Sequence, residues 1–343
     1  MSTQSQEPSP HTLPSVLIAG AGLGGLLLAI LLENAKVPYR VLERASSVKP
    51  IGAALSLNAN VLSVMEQIGI YDDLMKVALP CLVNSLYNED LEKIADIDQR
   101  DLKGLLGYHY TVFPRPALYA LMLAQIPQEK ILFNKKVVSM DQTNDSVTVQ
   151  CTDGTTYSSD ILVGADGAYS GVRQSLYEQL SKQNQLPASD AEQMCYNYMT
   201  MVGTTDPLDP AVFPKLGGES TTFSFMLGTN SPYSWSTLTM QGNKACWSVK
   251  RQMDSRAADN EKYRNAEWGP EANQELIDEA RAVNAMQDAV ILANCIYDMT
   301  STDQEAITET FKDFREQRYK HVKFQFERSK INGKLIYGQV IPK

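Results

Sequence analysis

Gly20, Gly22 and Gly25 stand in the run Gly20-Ala21-Gly22-Leu23-Gly24-Gly25, spaced G-x-G-x-x-G. Glycines at this spacing allow a tight turn, a close backbone approach to a pyrophosphate, and tight packing of a helix on a strand. A helix starting at the turn would offer unpaired N–H groups to phosphates. Eighteen residues past Gly25 comes Glu43, a carboxylate able to accept hydrogen bonds from a ribose. Together these residues predict a dinucleotide site. Two competing readings are a glycine-rich packing turn and a membrane span. Residues 16–32 are 17 positions without a charge, at the short limit for spanning. The glycines cluster at one end of that stretch, however, and a charged strand follows at once.

The elements that must position these residues are legible around them. Residues 15–19 form an apolar run ending at the glycines, as in a buried strand. Residues 23–34 read as a Leu- and Ala-rich helix and 39–43 as a second strand, a unit that requires a parallel, right-handed crossover. Residues 57–79 carry Leu62, Met65, Ile68 and Leu74 near helical spacing, and 117–125 read as an apolar helix after Pro116. From 131 to 163 the period changes to strands, with Val147, Val149 and Cys151 alternating and Asp153-Gly154 as a hairpin turn. A polar connector at 181–193 precedes β-rich runs at 195–203, 222–227, 233–240 and 245–250, which predict an antiparallel layer. From 271 the pattern is mostly helical, with a capping box at Thr302-Asp303-Gln304-Glu305.

Residues 160–173 read Asp-Ile-Leu-Val-Gly-Ala-Asp-Gly-Ala-Tyr-Ser-Gly-Val-Arg. They resemble the D-x-x-x-G-A-D-G-x-x-S-x-V-R motif of the aromatic-ring hydroxylases, the class A flavin monooxygenases, at every fixed position. Glu43-Arg44 looks like that family's ribose-binding acid and its basic neighbour, and Arg115 like the arginine of its R-x-x-L segment, which contacts the flavin cofactor. Gly52, Ala53 and Asn58 look like its loop past the flavin ring. The resemblance implies FAD, with Gly20, Gly22, Gly25, Glu43, Arg44, Gly52, Ala53, Arg115, Asp166, Gly167 and Asn284 at the cofactor site. The plain readings of Arg115 and Asp166 are a solvated arginine and a turn aspartate.

The implied architecture is α/β, with a Rossmann-type FAD-binding domain of parallel sheet plus β-meander, an antiparallel-sheet substrate domain and a helical C-terminus. Its expected spans are 12–180, 190–280 and 283–343, with 81–108 open to assignment to the substrate domain. One departure stands out. The family's G-D-A-x-H segment occurs nowhere in the chain. Residues 283–293, with Asn284, look like the helix that follows it, as though a segment were lost between about 280 and 283. The alternative is that 271–299 is one continuous helix of different design.

The implied activity is a monooxygenase in which FAD, NAD(P)H and O2 hydroxylate or epoxidise a small aromatic or alkene substrate. No catalytic side chain is singled out, since the cofactor carries this chemistry. Aromatic residues of the β layer (Tyr196, Tyr198, Phe223, Phe225, Trp235 and Trp247) would wall the substrate pocket, or form ordinary sheet core. Competing readings are a weakly FAD-binding, non-catalytic remnant and a flavin oxidoreductase without oxygen insertion.

The chain has 343 residues and a net charge of -9. That balance argues against an electrostatic nucleic-acid binder. The five cysteines are scattered, odd in number and without a C-x-x-C pair, which favours buried thiols in a reducing compartment. The three histidines show no ligand spacing, so no metal is expected. No Lys or Arg precedes Lys36, unlike a secretory or transit leader, which predicts a cytoplasmic protein with no stable membrane span.

Overall fold

The computed structural model describes residues 13–47, 53–143, 146–167, 169–191, 198–228, 231–252 and 312. The 1–12 tail, Gly52, the 280–283 junction, Asn284 and the other expectations past 252 lie outside the described residues. The chain runs through β1 (Val16–Ala19), α1 (Leu23–Asn34), β2 (Tyr39–Leu42), β3 (Ala54–Leu57), α2 (Ala59–Gln67), α3 (Tyr71–Met75), β4 (Leu79–Pro80), β5 (Val83–Tyr87) and β6 (Lys93–Asp98). Next come α4 (Leu102–Leu106), β7 (Thr111–Pro114), α5 (Arg115–Leu123), β8 (Ile131–Leu132), β9 (Val137–Gln142), β10 (Val147–Cys151), β11 (Thr156–Ser159), β12 (Ile161–Gly164) and α6 (Gly171–Lys182). After α7 (Ala188–Ala191) follow β13 (Tyr198–Thr204), β14 (Thr222–Met226), β15 (Tyr233–Met240) and β16 (Lys244–Gln252). The chain divides into two compact units: 1–51, 64–74 and 115–193 in the first, 52–63, 75–114 and 194–343 in the second.

The first unit is built on a parallel sheet ordered β12-β1-β2-β8. All four residues of β1 are buried, as expected of a central strand covered on both faces. The meander β9–β10–β11 contributes Val137, Met140, Val147, Val149 and Cys151 to one core cluster with Leu17, Ala19 and Leu42. Helix α6 is clamped to β9, where Ser175 Oγ accepts from Met140 N and Gln179 Nε2 donates to Met140 O. Asp160 ties the base of β12 to β1 by accepting from both the amide and the hydroxyl of Ser15.

The helix expected over 57–79 is interrupted. Gly69, at φ +80, ends α2 in the left-handed region. Gly69 N donates to Glu66 O and Ile70 N to Met65 O, the paired bonds of a Schellman cap, before α3 restarts at Tyr71. The apolar spacing of 57–79 runs through this cap, so periodicity alone does not reveal it.

The second unit holds a six-stranded sheet ordered β13-β16-β15-β14-β5-β6 and a small antiparallel sheet ordered β3-β7-β4. All neighbours in the larger sheet are antiparallel except β14 and β5. Side chains alternate between faces along a strand, and this sorts the aromatics. Phe223 is opposite Leu238, whereas Trp235 is opposite Met226 and Thr237 is opposite Trp247. Phe223 and Phe225 therefore share one face, and Trp235 and Trp247 the other. The described aromatics of this layer do not wall a single pocket.

Gly203 is paired with Trp247, and a Cβ there would fall 2.4 Å from Trp247 Cζ2. The missing side chain lets the indole lie across β13. Gly203→Ala is expected to cost about 1–3 kcal/mol through overpacking, read as a lower urea midpoint, and Trp247→Leu in the same chain should recover part of the loss.

Candidate functional site

Strands β1 and β12 run side by side and parallel, from Val16 opposite Ile161 to Ala19 opposite Gly164. The turns that follow them leave the sheet at the same edge. Ala165 N donates to Ala19 O and Gly20 N to Leu42 O, each at 2.7 Å. Ligands of open parallel sheets bind outside the carboxyl ends of the strands, which is where these turns lie.

The glycines of the first turn fall into two kinds. Gly20 sits at φ +105, and a Cβ there would meet Ala165 O at 2.4 Å. A Cβ on Gly25 would meet Gly20 O at 2.0 Å. The fold itself requires these two glycines. Gly22 has ordinary extended backbone, φ −69 and ψ 175, and a Cβ on it would meet nothing within 4 Å. A Cβ on Gly24 would likewise meet nothing within 4 Å. Packing within the protein does not account for these two glycines, whereas a ligand backbone approaching closely does.

That open space faces the N-terminus of α1. The first helical bond runs from Leu26 N to Gly22 O at 2.9 Å, so the N–H groups of Leu23, Gly24 and Gly25 have no acceptor within the helix. Gly22 brings no side-chain cap, and the first turn holds no acidic residue. Free donors and the positive end of the helix dipole suit an anion.

Glu43 holds the turn from one side. Its Oε2 accepts from Ala21 N at 2.7 Å and its Oε1 from Ala45 N at 2.8 Å. A carboxylate offers about four lone-pair directions, so capacity remains for sugar hydroxyls. From the other side, Tyr119 Oη donates to Ala21 O at 2.7 Å. Both polar groups of Ala21 are thus fixed. Burial pushes the Tyr119 phenol up; the charge of Glu43 adds to this and that of Arg115 opposes it. Arg115 is the first residue of α5, one helical turn before Tyr119, and is half-buried.

In the second turn, Asp166 Oδ2 accepts from Gly171 N at 2.7 Å and Val172 N at 3.4 Å, while Ser170 Oγ accepts from Arg173 N. Together they cap α6. Asp166 Oδ1 is buried and has no hydrogen-bond partner. An ionised carboxylate only accepts, so the group it lacks carries an O–H or N–H. The Asp166 Cα would stand 2.9 Å from a Cβ on Gly20, so this oxygen belongs to the same corner as the glycine turn. Gly167, at φ +85, has open space before it.

Of the residues singled out from sequence, Gly20, Gly22, Gly25, Glu43, Asp166 and Gly167 meet at this corner, and Arg115 joins it through α5. Arg44 follows Glu43 and is exposed. Ala53 lies just before β3 in the second unit. Sequence reasoning misses Tyr119. The only signal for it is its place four residues after Arg115, on the same helical face.

The sequence from 14 to 243 matches the family model described as FAD binding domain. The chain belongs to the FAD-binding-domain family. Among similar proteins of that kind, the FAD-dependent monooxygenase nvfK of Aspergillus novofumigatus is 27% identical over 243 residues, covering 70% of this chain and 50% of that one. The 6-hydroxynicotinate 3-monooxygenase of Bordetella bronchiseptica is 31% identical over 167 residues, covering 48% of this chain and 43% of the relative. The chain therefore spans about half the length of these relatives or less. The structure of Klebsiella pneumoniae HpxO complexed with FAD and uric acid superposes with a TM-score of 0.58 at 22% identity, covering 77% of this chain and 64% of that one. That likeness shows the shared fold, α/β with one parallel and several antiparallel layers. The corner fits the family's cofactor: open glycines before unpaired helix N–H groups suit a pyrophosphate, and the orphaned Asp166 oxygen suits a hydroxyl.

Among the described residues, no group of three or more His, Cys, Asp or Glu side chains is placed to hold a metal ion. No described helix is long and apolar enough to cross a membrane.

Proposed function

We propose that the chain holds FAD at the corner formed by residues 20–25, Glu43 and Asp166–Gly167, and works as an FAD-dependent monooxygenase using NAD(P)H and O2 on a small aromatic or alkene substrate. The observation that carries this reading is the pair of adjoining turns, one with empty space before unpaired N–H groups and the other with a buried, unpartnered carboxylate oxygen. The N–H groups of Leu23, Gly24 and Gly25 bind the pyrophosphate, Glu43 takes the adenosine ribose, Asp166 accepts from a cofactor hydroxyl, and Arg115 contacts the cofactor. Bound FAD supplies the redox and oxygen-transfer chemistry, and the protein orients it and keeps water away. The monooxygenase names of the relatives support the reaction class.

The absent G-D-A-x-H segment bears on strength of binding. Losing two hydrogen bonds to charged groups, at about 1.5–3 kcal/mol each, weakens an affinity by a factor on the order of a hundred or more. The test is flavin titration of the purified chain beside a version with that segment and its strand inserted at Ala282, followed by oxygen-dependent NAD(P)H oxidation over a panel of phenols and alkenes. The inserted version is expected to bind FAD about a hundredfold more tightly and to incorporate oxygen into a panel member. Equal affinity in the two would show that the missing segment is immaterial. Failure of both to bind FAD would overturn the reading.

A further inference from the structure

Among the described residues, the large sheet of the second unit has two free edges, β6 and β13, and they are built differently. Native sheets blunt an open edge with charges, prolines, bulges or short strands, because its unpaired N–H and C=O groups are a template for another chain. Strand β6 carries such devices. Gln99 N donates to Leu82 O, so in the alternating ladder Asp96 and Asp98 turn their backbone groups away from β5. Both are acidic, Lys93 adds a third charge, and the pairing with β5 shifts register between Leu86 and Tyr87. Strand β13 carries none of them. It runs seven residues, Tyr-Met-Thr-Met-Val-Gly-Thr, without a charge or a proline. Its register with β16 is unbroken from Tyr198 opposite Gln252 to Thr204 opposite Cys246. Thr205 N donates to Ala245 O, which sets the alternation. Met199, Met201 and Gly203 therefore spend their backbone groups on β16, and Thr200, Val202 and Thr204 turn theirs outward. The side chains of Met199 and Met201 are buried on one face. On the other, Thr200 and Thr204 are exposed and Val202 is 50% exposed.

We propose that β13 is the contact edge of a homodimer, pairing antiparallel with β13 of a second copy about a two-fold axis at Val202. The outward-turned residues read Thr-Val-Thr in either direction, so one register serves all of them. Val202 faces Val202 of the second copy, and Thr200 of each copy faces Thr204 of the other. In each facing pair the two residues exchange both N–H···O bonds. Threonine pairs and β-branched neighbours suit cross-strand contact, and no charge of either strand opposes another. This self-complementary order is what a second copy requires and a foreign strand does not. An isologous contact closes at two copies. The charges and the bulge of β6 keep the far edge from extending the sheet into a fibre.

The test is sedimentation velocity of the full chain over the micromolar range, with thermal melts to confirm that each variant is folded. A reversible monomer–dimer equilibrium is expected, with a Kd in that range because one strand edge makes a small interface. Val202→Lys sets two like charges against each other at the axis, on a side chain already half exposed, so each copy still folds. It should raise Kd about tenfold or more. Ile97→Lys, on the exposed strand β6, should leave the dimer as it is. Val202→Cys gives a second readout that needs no added charge. Facing residues of a hydrogen-bonded pair have Cα atoms about 5.5 Å apart, within disulfide reach. Mild oxidation should therefore join position 202 of the two copies, seen by mass spectrometry, while Ile97→Cys under the same conditions forms no such link. A chain that stays monomeric throughout, a dimer unchanged by Val202→Lys, or equal cross-linking at positions 202 and 97 would overturn the assignment.

Discussion

Gly25→Ala is expected to destabilise the chain by about 3 kcal/mol or more, at the upper end of overpacking effects. The added Cβ would stand 2.0 Å from Gly20 O, a backbone atom in a turn that cannot retreat. Gly20 is pinned on its other side against Ala165 and Asp166, where a Cβ would itself clash at 2.4 Å. Relief therefore requires α1 to lift away from the sheet, exposing Leu26, Ala29 and Ile30, which are now buried. A loss of this size lowers Tm by about 6–12 °C in a domain of 150–250 residues. Gly24→Ala is the control one residue earlier. Its Cβ meets nothing within 4 Å and its backbone is helical, so the change should stabilise by about 0.5–1 kcal/mol through helix preference. Similar melting of Gly25→Ala and wild type would show that the close packing of this turn is not what the structure gives.

Gly22→Val should behave in the opposite way: the fold stands and the cofactor is lost. Valine accepts the extended backbone of Gly22, and its Cβ finds open space in the protein. The same space is the approach of the pyrophosphate to the N–H groups of Leu23, Gly24 and Gly25. Displacing the phosphates from two such donors, at about 1.5–3 kcal/mol each, lowers FAD affinity by a factor of about a hundred or more. The measurement is the flavin retained per chain through purification, beside a thermal melt of the apoprotein. A melt lowered by no more than a few degrees, since valine is a poorer N-cap than glycine, with flavin lost is the expected pair. Equal flavin in variant and wild type would remove Gly22 from the site.

Much of this corner is legible in the order of the residues alone. The glycine spacing, the apolar run ahead of it and Glu43 at the end of the second strand share one register, because a strand–helix–strand unit leaves few ways to arrange them. The bounds of α1 match the expected helix at both ends. Asp166 is legible only by resemblance, since nothing local says that β12 lies beside β1, 145 residues away in sequence at the Ser15–Asp160 contact. Three features are not legible. Tyr119 acts on a backbone carbonyl, and such a partner leaves no mark in sequence beyond the spacing of Tyr119 from Arg115. The cap at Gly69 lies inside an apolar repeat that continues through it. The aromatics of the β layer read as one set because strand spacing alone does not say which residues of neighbouring strands face each other. Register does, and it parts Phe223 and Phe225 from Trp235 and Trp247.

The central claim is the position of the cofactor, and backbone hydrogen exchange of the full chain with and without FAD tests it most directly. Bound phosphates would occupy the N–H groups at the start of α1, and a hydroxyl on Asp166 would steady the turn into α6. Slowed exchange is expected in peptides spanning 20–26 and 165–173, with no change in peptides from β13 or β16. Protection by FAD that spares both 20–26 and 165–173 would contradict the assignment.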